Sequence, residues 1–531
     1  MGLGWLAEYL TPTTVYSTTA LTLLTWIAYK KSTAPRYPPG PSKLPPWIGS
    51  LAYMPKHRAW ETYTKWGKEY NSDILHMQGA GLNIIILNSM EAAVDLLDKR
   101  SAIYSSRSAF SIVEITGWEW LMSNMLYTTA WRERRKLFQK HFHPSKPEVF
   151  QHKYLTSVRE RLIPNLFENP KDWANIFRYA IGSTTLSLAY GLPFNQQESS
   201  RLPSRNNITS SGVDSDPRGL NAIIKLAEAA VGTINASYAE GAVIVDLIPA
   251  LKYFPSWFPG LAFKAKMPEW RRLATEFREL PFDVGRSLIA EGKAEESFIS
   301  LCLDDGEKEL EVVKDTAGMM FAGGVDTTLA LLHNFILAML LHPEAQKRAQ
   351  EELDQLLAAE KRHVPEWNDK DKLPYLAAVL KEVLRWRPVL PLGAPHAVTQ
   401  DDEYKGYHIP KDSLIIPNSW LMLHNEETYG INPDKFQPER FLDEKGQLNR
   451  NMRDPADVAF GFGRRVCPGT HVALYNLFMV ATHVLSVFNI EYAVDETTGQ
   501  VKTPSMDWPD LVVCPPLPFD CKFVPRGELG K

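Results

Sequence analysis

The chain has 531 residues, 58 basic and 62 acidic side chains and a formal net charge of −4. Apolar and charged fractions of 44% and 23% exclude a disordered chain, a collagen and a simple coiled coil, and the near-neutral charge offers no basic field for nucleic acid. Four cysteines (Cys302, Cys467, Cys514 and Cys521) are too few for a disulfide scaffold; the excess is in proline, with 38 residues.

Tyr9 to Tyr29 carry no formal charge. As a helix these residues span roughly 31 Å, about one hydrocarbon core. Glu8 precedes them and Lys30-Lys31 follows, which favours an anchor over a cleaved signal peptide. That asymmetry places the downstream chain in the cytosol, so the expected location is the endoplasmic reticulum membrane, single-pass. Neither Asn207 nor Asn235, both in glycosylation patterns, would then meet the luminal machinery. Next come Arg36-Tyr37-Pro38-Pro39-Gly40-Pro41 and Leu44-Pro45-Pro46. Proline at this density cannot be helix and reads as a stiff spacer.

The expected organisation is an anchor over 1–31, a Pro-rich linker over 32–50 and one large domain over 51–531. Asn83 to Leu87 reads as a strand. Ala92–Lys99, Ala130–His141, Val158–Leu166 and Asn221–Ala239 read as helices. Ser199 to Gly219 reads as a surface loop. Tyr253 to Leu261 is aromatic and has Lys264 and Lys266 beside it; it suits a membrane interface or an ordinary packed loop. Val312 to Leu341 is nearly all apolar. With Gly323-Gly324 and Asp326 inside, it reads as a buried central helix, not a membrane span. Further helices are expected from Lys372 to Arg387, stopped by Pro388, and from about Gly469 to Phe488. The class is mainly α with a small β subdomain.

The chemistry concentrates in Phe460-Gly461-Phe462-Gly463-Arg464-Arg465-Val466-Cys467-Pro468-Gly469. The glycines permit a tight turn. Cys467 sits just before a helix, where backbone N–H groups favour thiolate. Arg465 can pair with an anionic group, and Phe460 can wall the sulfur from water. This is a way to hold a soft metal through one protected thiolate. Zinc is the rival, through Cys467 and His471, although zinc normally needs three or four ligands.

The full string resembles the haem-binding loop of the cytochrome P450 family, with Phe460, Gly463, Arg465, Cys467 and Gly469 at its fixed positions. Further likenesses occur in the family's order. They are Trp131-Arg132-Glu133-Arg134-Arg135, Gly323-Gly324-Val325-Asp326-Thr327-Thr328, Glu382-Val383-Leu384-Arg385 and Pro438-Glu439-Arg440-Phe441. One departure is Thr470, where many members carry a basic residue. The resemblance implies the P450 fold and haem, with Cys467 as the axial ligand of its iron. It implies that Trp131, Arg135, Arg465 and His396 meet the propionates. Glu382, Arg385 and Arg440 would form a buried structural triad. Thr327 would donate a hydrogen bond to oxygen and Asp326 would relay protons. The double glycine would loosen the helix locally. Arg134 reads as part of a solvated helix face.

The implied pocket walls are Phe110 to Leu121, Met320-Phe321, Leu390 to Ala394 and Leu511 to Val513, suiting a small apolar substrate. The segment Trp386 to His396 resembles fungal members of secondary metabolism, the O-methylsterigmatocystin oxidoreductase-like group. That implies monooxygenation of a natural product, a terpenoid ahead of an indole or polyketide. The chain holds no nucleotide-binding glycine loop, so an NADPH-dependent flavoprotein reductase is the implied electron donor. The alternatives are a haem-thiolate isomerase or dehydratase, a peroxygenase that needs no reductase, or a membrane-tethered zinc protein.

Overall fold

The computed structural model describes residues 35–41, 49–79, 81–193, 219–239, 244–509 and 511–527, with the isolated positions 19, 21 and 25. Apart from those three positions, the expected anchor lies outside the described residues. So do Asn207 and most of the expected loop around it.

The first elements are α1 (Ala59–Glu69), β1 (Ile74–Gly79), β2 (Leu82–Leu87), α2 (Ser111–Thr116) and α3 (Thr129–His141). A run of helices follows: α4 (Trp173–Tyr190), α5 (Leu220–Ala239), the single turn α6 (Ile244–Leu247), α7 (Met267–Ala290), α8 (Leu310–Leu341), α9 (Pro343–Glu360) and α10 (Pro374–Trp386). Then come β3 (His396–Ala397), β4 (Asp402–Tyr404), β5 (Tyr407–Ile409), β6 (Leu414–Pro417), α11 (Thr470–Val487), β7 (Phe488–Tyr492) and β8 (Cys521–Pro525). The protein is mainly helical, with small sheets.

The main sheet has the order β1-β2-β6-β3. β1 and β2 are antiparallel, β2 and β6 are parallel with Ile84 opposite Leu414, and His396 of β3 faces Ile415. β1 is buried nearly throughout. A strand covered on both faces has no reason to alternate, which is why residues 74–79 gave no period-2 signal. Part of the expected spacer lies against this sheet. Tyr37 stacks on His76 at 4.8 Å, and the carbonyls of Pro39 and Arg36 accept the N–H groups of His76 and His408.

α8 runs through the core and packs on α3, α4, α7 and α11. It and α11 are long and apolar enough to cross a membrane, yet both are largely buried within the fold. A helix apolar on all sides and surrounded by others is a core helix. α4, α7 and α9 were not legible from periodicity. α4 carries Ser183, Thr184, Thr185 and Ser187, all buried, in positions where hydroxyl residues are weak helix formers. The hydroxyls of Ser183, Thr184 and Thr185 donate to carbonyls of the preceding turn, as Thr184 Oγ1 does to Ala180 at 2.6 Å, while Ser187 Oγ donates to Glu295 Oε2 at 2.7 Å. α7 keeps Pro281 in its interior. α10 begins with Pro374 as its first residue, where the missing N–H costs nothing.

Candidate active site

The short helix Ala456–Ala459 ends at Phe460, and a 3-10 turn, Gly463–Arg465, leads to Cys467 two residues later. The N–H of Cys467 donates to the Phe460 carbonyl at 2.8 Å, folding the loop back on itself. Gly463 has φ +56°, and a Cβ there would lie 2.1 Å from the Leu97 carbonyl oxygen. Only glycine fits that approach. α11 starts three residues past the cysteine.

Cys302, Cys514 and Cys521 are buried, whereas Cys467 is exposed. It is nevertheless enclosed by protein. The Gly469 N–H at the helix start favours thiolate, as expected. Burial outweighs the helping contacts from the Gly469 N–H, Arg135 and Thr470, and pushes the thiol up.

Three arginines gather beside this loop. Arg465 is buried, and its guanidinium stands 4.2 Å over the Trp131 ring. It donates to the carbonyls of Ser105 (2.7 Å), Met122 (3.2 Å) and Met125 (2.6 Å). Arg135 donates to the Val466 carbonyl at 2.8 Å. Arg107 donates to the carbonyls of Ser123, Ala394 and Pro395. Burial brings Arg465 down to about 9 and Arg107 to about 10, and it lowers Arg135 as well. His396 adjoins Arg107 and Arg465; its Nδ1 is 2.8 Å from the Tyr104 carbonyl, and burial lowers it to about 3. Among the described residues no carboxylate pairs with Arg107, Arg135 or Arg465. Buried charge without a partner is costly, so this cluster suits an anionic group. Sequence reasoning missed Arg107, which sits in Ser-Ser-Arg-Ser, a run with no motif.

On α8, Met320, Gly323, Gly324 and Thr327 are only partly buried although the helix crosses the core. At i, i+3, i+4 and i+7 they share one face. The helix is unbroken through the double glycine, so the expected loosening is absent. Thr327 Oγ1 instead donates to the Gly323 carbonyl at 2.6 Å, a back-bond typical of a mid-helix hydroxyl. Asp326 opens on another side, onto a small cavity lined by Arg178, Ile224, Phe277, Phe321 and Val325. Its Oδ1 is 3.3 Å from Arg178 Nη1. Burial raises the Asp326 carboxyl, and Arg178 opposes that rise.

Glu382, Arg385 and Arg440 come together. Arg385 grips both Glu382 oxygens (2.7 and 2.8 Å), and Arg440 Nε donates to Oε1 at 3.1 Å. The Gln437 N–H adds a fourth bond at 2.8 Å. The remaining guanidinium hydrogens reach the carbonyls of Leu423, Lys435 and Tyr429.

Arg134 is not solvated. Its Nε and Nη2 donate to Asp315 Oδ2 at 3.0 and 2.6 Å, and Arg278 takes Oδ1 of the same buried carboxylate. The zinc alternative lacks ligands. Among the described residues no group of three or more His, Cys, Asp or Glu side chains could hold a metal ion. His471 packs edge-on against Phe150 with its Nε2 unpaired.

One enclosed cysteine beside an unpaired arginine cluster, with a half-open helix face nearby, fits an iron porphyrin. Cys467 would hold the metal, and Arg107, Arg135, Arg465 and His396 would meet its carboxylates. These features describe a haem-thiolate protein.

Comparison with known proteins agrees. The family described as Cytochrome P450 matches residues 38–523. Cytochrome P450 monooxygenase ple1 of Rhodocybe pseudopiperita is 42% identical over 96% of this chain and 93% of its own length. Tryptamine 4-monooxygenase of Psilocybe cyanescens is 37% identical over 93% of this chain and 94% of its own. Cytochrome P450 monooxygenase claR of Ampulloclitocybe clavipes is 36% identical over 92% of this chain and 86% of its own. The chain belongs to the cytochrome P450 family and is a P450 monooxygenase, binding haem iron through a cysteine.

Proposed function

We propose that the protein inserts one oxygen atom from O2 into an apolar natural-product intermediate of fungal secondary metabolism, a terpenoid before an indole, with electrons from an NADPH-dependent flavoprotein reductase. The observation that carries the chemistry is the enclosed Cys467 below the arginine cluster. When bound, thiolate-ligated haem supplies O–O cleavage.

The chain's own residues bind, orient and move protons. Trp131, Arg135, Arg465 and His396 hold the carboxylates of the haem, joined by Arg107. Phe460 and Gly463 shape the loop around the sulfur. Glu382, Arg385 and Arg440 keep the surrounding core rigid. Thr327, on the half-open face of α8, would supply a hydroxyl to the reaction once it leaves the Gly323 carbonyl, and Asp326, on the Arg178 side of the same helix, would be the proton source. Burial raises the Asp326 carboxyl and Arg178 opposes that rise. The partly buried apolar side chains Phe110, Val113 and Leu392 support an apolar substrate.

The same reading puts the amino terminus in the endoplasmic reticulum membrane with the catalytic domain in the cytosol. Tyr253 and Trp257, 80% and 79% exposed, support a second contact with the lipid surface, since aromatics beside Lys252 and Lys264 suit the interface.

An indole substrate is the second reading, favoured by the relative named Tryptamine 4-monooxygenase. Expression with a reductase and a panel of fungal terpenes and indoles tests both, with product mass as the readout. Turnover that is undiminished without reductase and oxygen would sink the monooxygenase reading of the site.

A further inference from the structure

Two irregular segments meet beside α8. One joins α10 to β3 over residues 387–395, and the other covers residues 502–509 and 511–520; neither contains helix or strand. A chain without a ladder must satisfy its carbonyls and N–H groups by other means. The Cys514 N–H donates to the Val389 carbonyl at 2.9 Å, which ties the second segment to the first. Asn334 of α8 is buried, and its Nδ2 donates to the Arg387 carbonyl at 2.9 Å, which ties the first segment to the helix. Asn334 lies seven positions past Thr327, on the same side of α8.

The Arg387 side chain makes the rest of the join. It is 2% exposed. Its Nη1 donates to the Met506 carbonyl at 3.2 Å, and its Nη2 donates to the Asp507 carbonyl at 3.1 Å. Its guanidinium carbon stands 4.1 Å from the centre of the Trp508 ring. One side chain thus holds three successive residues of the second segment. Among the described residues no carboxylate pairs with Arg387, and its Nε has no hydrogen-bond partner. The Asp507 carboxylate turns outward instead, to Arg58 at 2.6 Å. Burying a cation on carbonyls and an aromatic face alone is costly. What the arrangement specifies is position, because a planar fork bonds two carbonyls at once in a narrow range of geometries.

We propose that Arg387 is a positioning residue for the substrate: it seats residues 506–508 and, through them, 511–513 against the 387–394 segment, and thereby sets the size of molecule the pocket accepts. This rests on reading residues 390–394 and 511–513 as walls of the substrate pocket. Leu511 and Val512 are 39% and 48% exposed, so their own packing does not fix them. The Cys514 thiol donates to the Leu511 carbonyl at 3.0 Å and closes the turn they form. The ties on either side of that turn, Arg387 to residues 506–508 and Val389 to Cys514, hold it in place. Arg387 acts through this segment and not by touching the substrate.

The test uses the full-length haem protein and equilibrium titration with two haem ligands of different size, imidazole and 4-phenylimidazole, read from the Soret shift. Arg387→Lys keeps the charge but cannot hold both carbonyls. It should weaken 4-phenylimidazole about tenfold and leave imidazole, too small to reach the walls, within about twofold of wild type. Trp508→Leu removes only the ring beside the guanidinium, and serves where Arg387→Lys does not fold. It should move the ratio of the two affinities in the same direction by about threefold. Hydrogen exchange at the Cys514 amide should be faster in both variants. Arg58→Gln, which removes the exposed pair with Asp507, should leave both affinities as in wild type. Equal losses for the two ligands, no loss for either, or the same selective loss in Arg58→Gln would each overturn the assignment. Leu392→Ala shortens a wall directly. If it leaves the ratio unchanged, the wall reading falls and the proposal with it; a changed ratio there with none in Arg387→Lys overturns Arg387 alone. A thiolate-type Soret band of the carbon monoxide complex in every variant separates both failures from failure of the haem-thiolate reading.

Discussion

Arg178 of α4 bridges two carboxylates: its Nη1 lies 3.3 Å from Asp326 Oδ1 and its Nη2 lies 3.7 Å from Glu228 Oε1 on α5. Asp326, next to Thr327 in sequence, is thus tied to a neighbouring helix instead of facing open solvent. Asp326→Asn cannot ionise or pass a proton onward. Product formation should fall by about 10²-fold, with reductant still consumed and a larger solvent isotope effect. Product formation at the wild-type rate would remove Asp326 from the relay.

Cys467 carries the second prediction. Cys467→Ser should abolish the thiolate-type Soret band of the carbon monoxide complex. In haem-free protein, burial holds this thiol above its ordinary range. Iodoacetamide should label it more slowly at neutral pH than it labels a free thiol, with the rate climbing as pH rises. Fast labelling at pH 7 would show that the loop alone favours thiolate.

The Glu382 carboxylate holds two guanidinium groups, and it and Arg385 are fully buried. Glu382→Gln leaves both cations facing a neutral amide. A loss of about 3–5 kcal/mol is expected, measured by urea unfolding of the haem-loaded protein.

Arg134 and Arg132 sit on the same helix in opposite circumstances. Arg134→Gln leaves the buried Asp315 with Arg278 alone and should cost about 1–3 kcal/mol. Arg132 is exposed, and Arg132→Gln should stay within about 0.5 kcal/mol of wild type. Equal unfolding midpoints would contradict the buried pair.

His396 and His424 are both buried, with Nδ1 facing a carbonyl, and burial brings each down to about 3. Unfolded, each titrates near 6.5. Between those values the unfolded chain binds more protons, so stability present at pH 7 is lost as pH falls below about 6.5. Each histidine should contribute about 1.4 kcal/mol per pH unit in that window. A flat stability profile from pH 7 to pH 5 would show that they open to solvent.

The haem loop was legible because it is local. Gly463, Arg465, Cys467 and Gly469 lie within seven positions, and turn chemistry, a helix start and one thiol can be read from the order of residues. The Glu382–Arg385 pair was legible for the same reason, since one helical turn brings its members together. Expectations that depended on distant partners fared differently. Arg134 looked solvated because its partner, Asp315, is 181 residues away on another helix. Arg107 carried no motif and became part of the site only when the chain placed it beside Arg465 and His396. Thr327 looked free to face oxygen, but the unbroken helix gave its hydroxyl the Gly323 carbonyl. Short-range patterns carry steric and hydrogen-bonding preferences that any folded context keeps. Burial and charge pairing depend on which helices meet, and only the tertiary structure decided that.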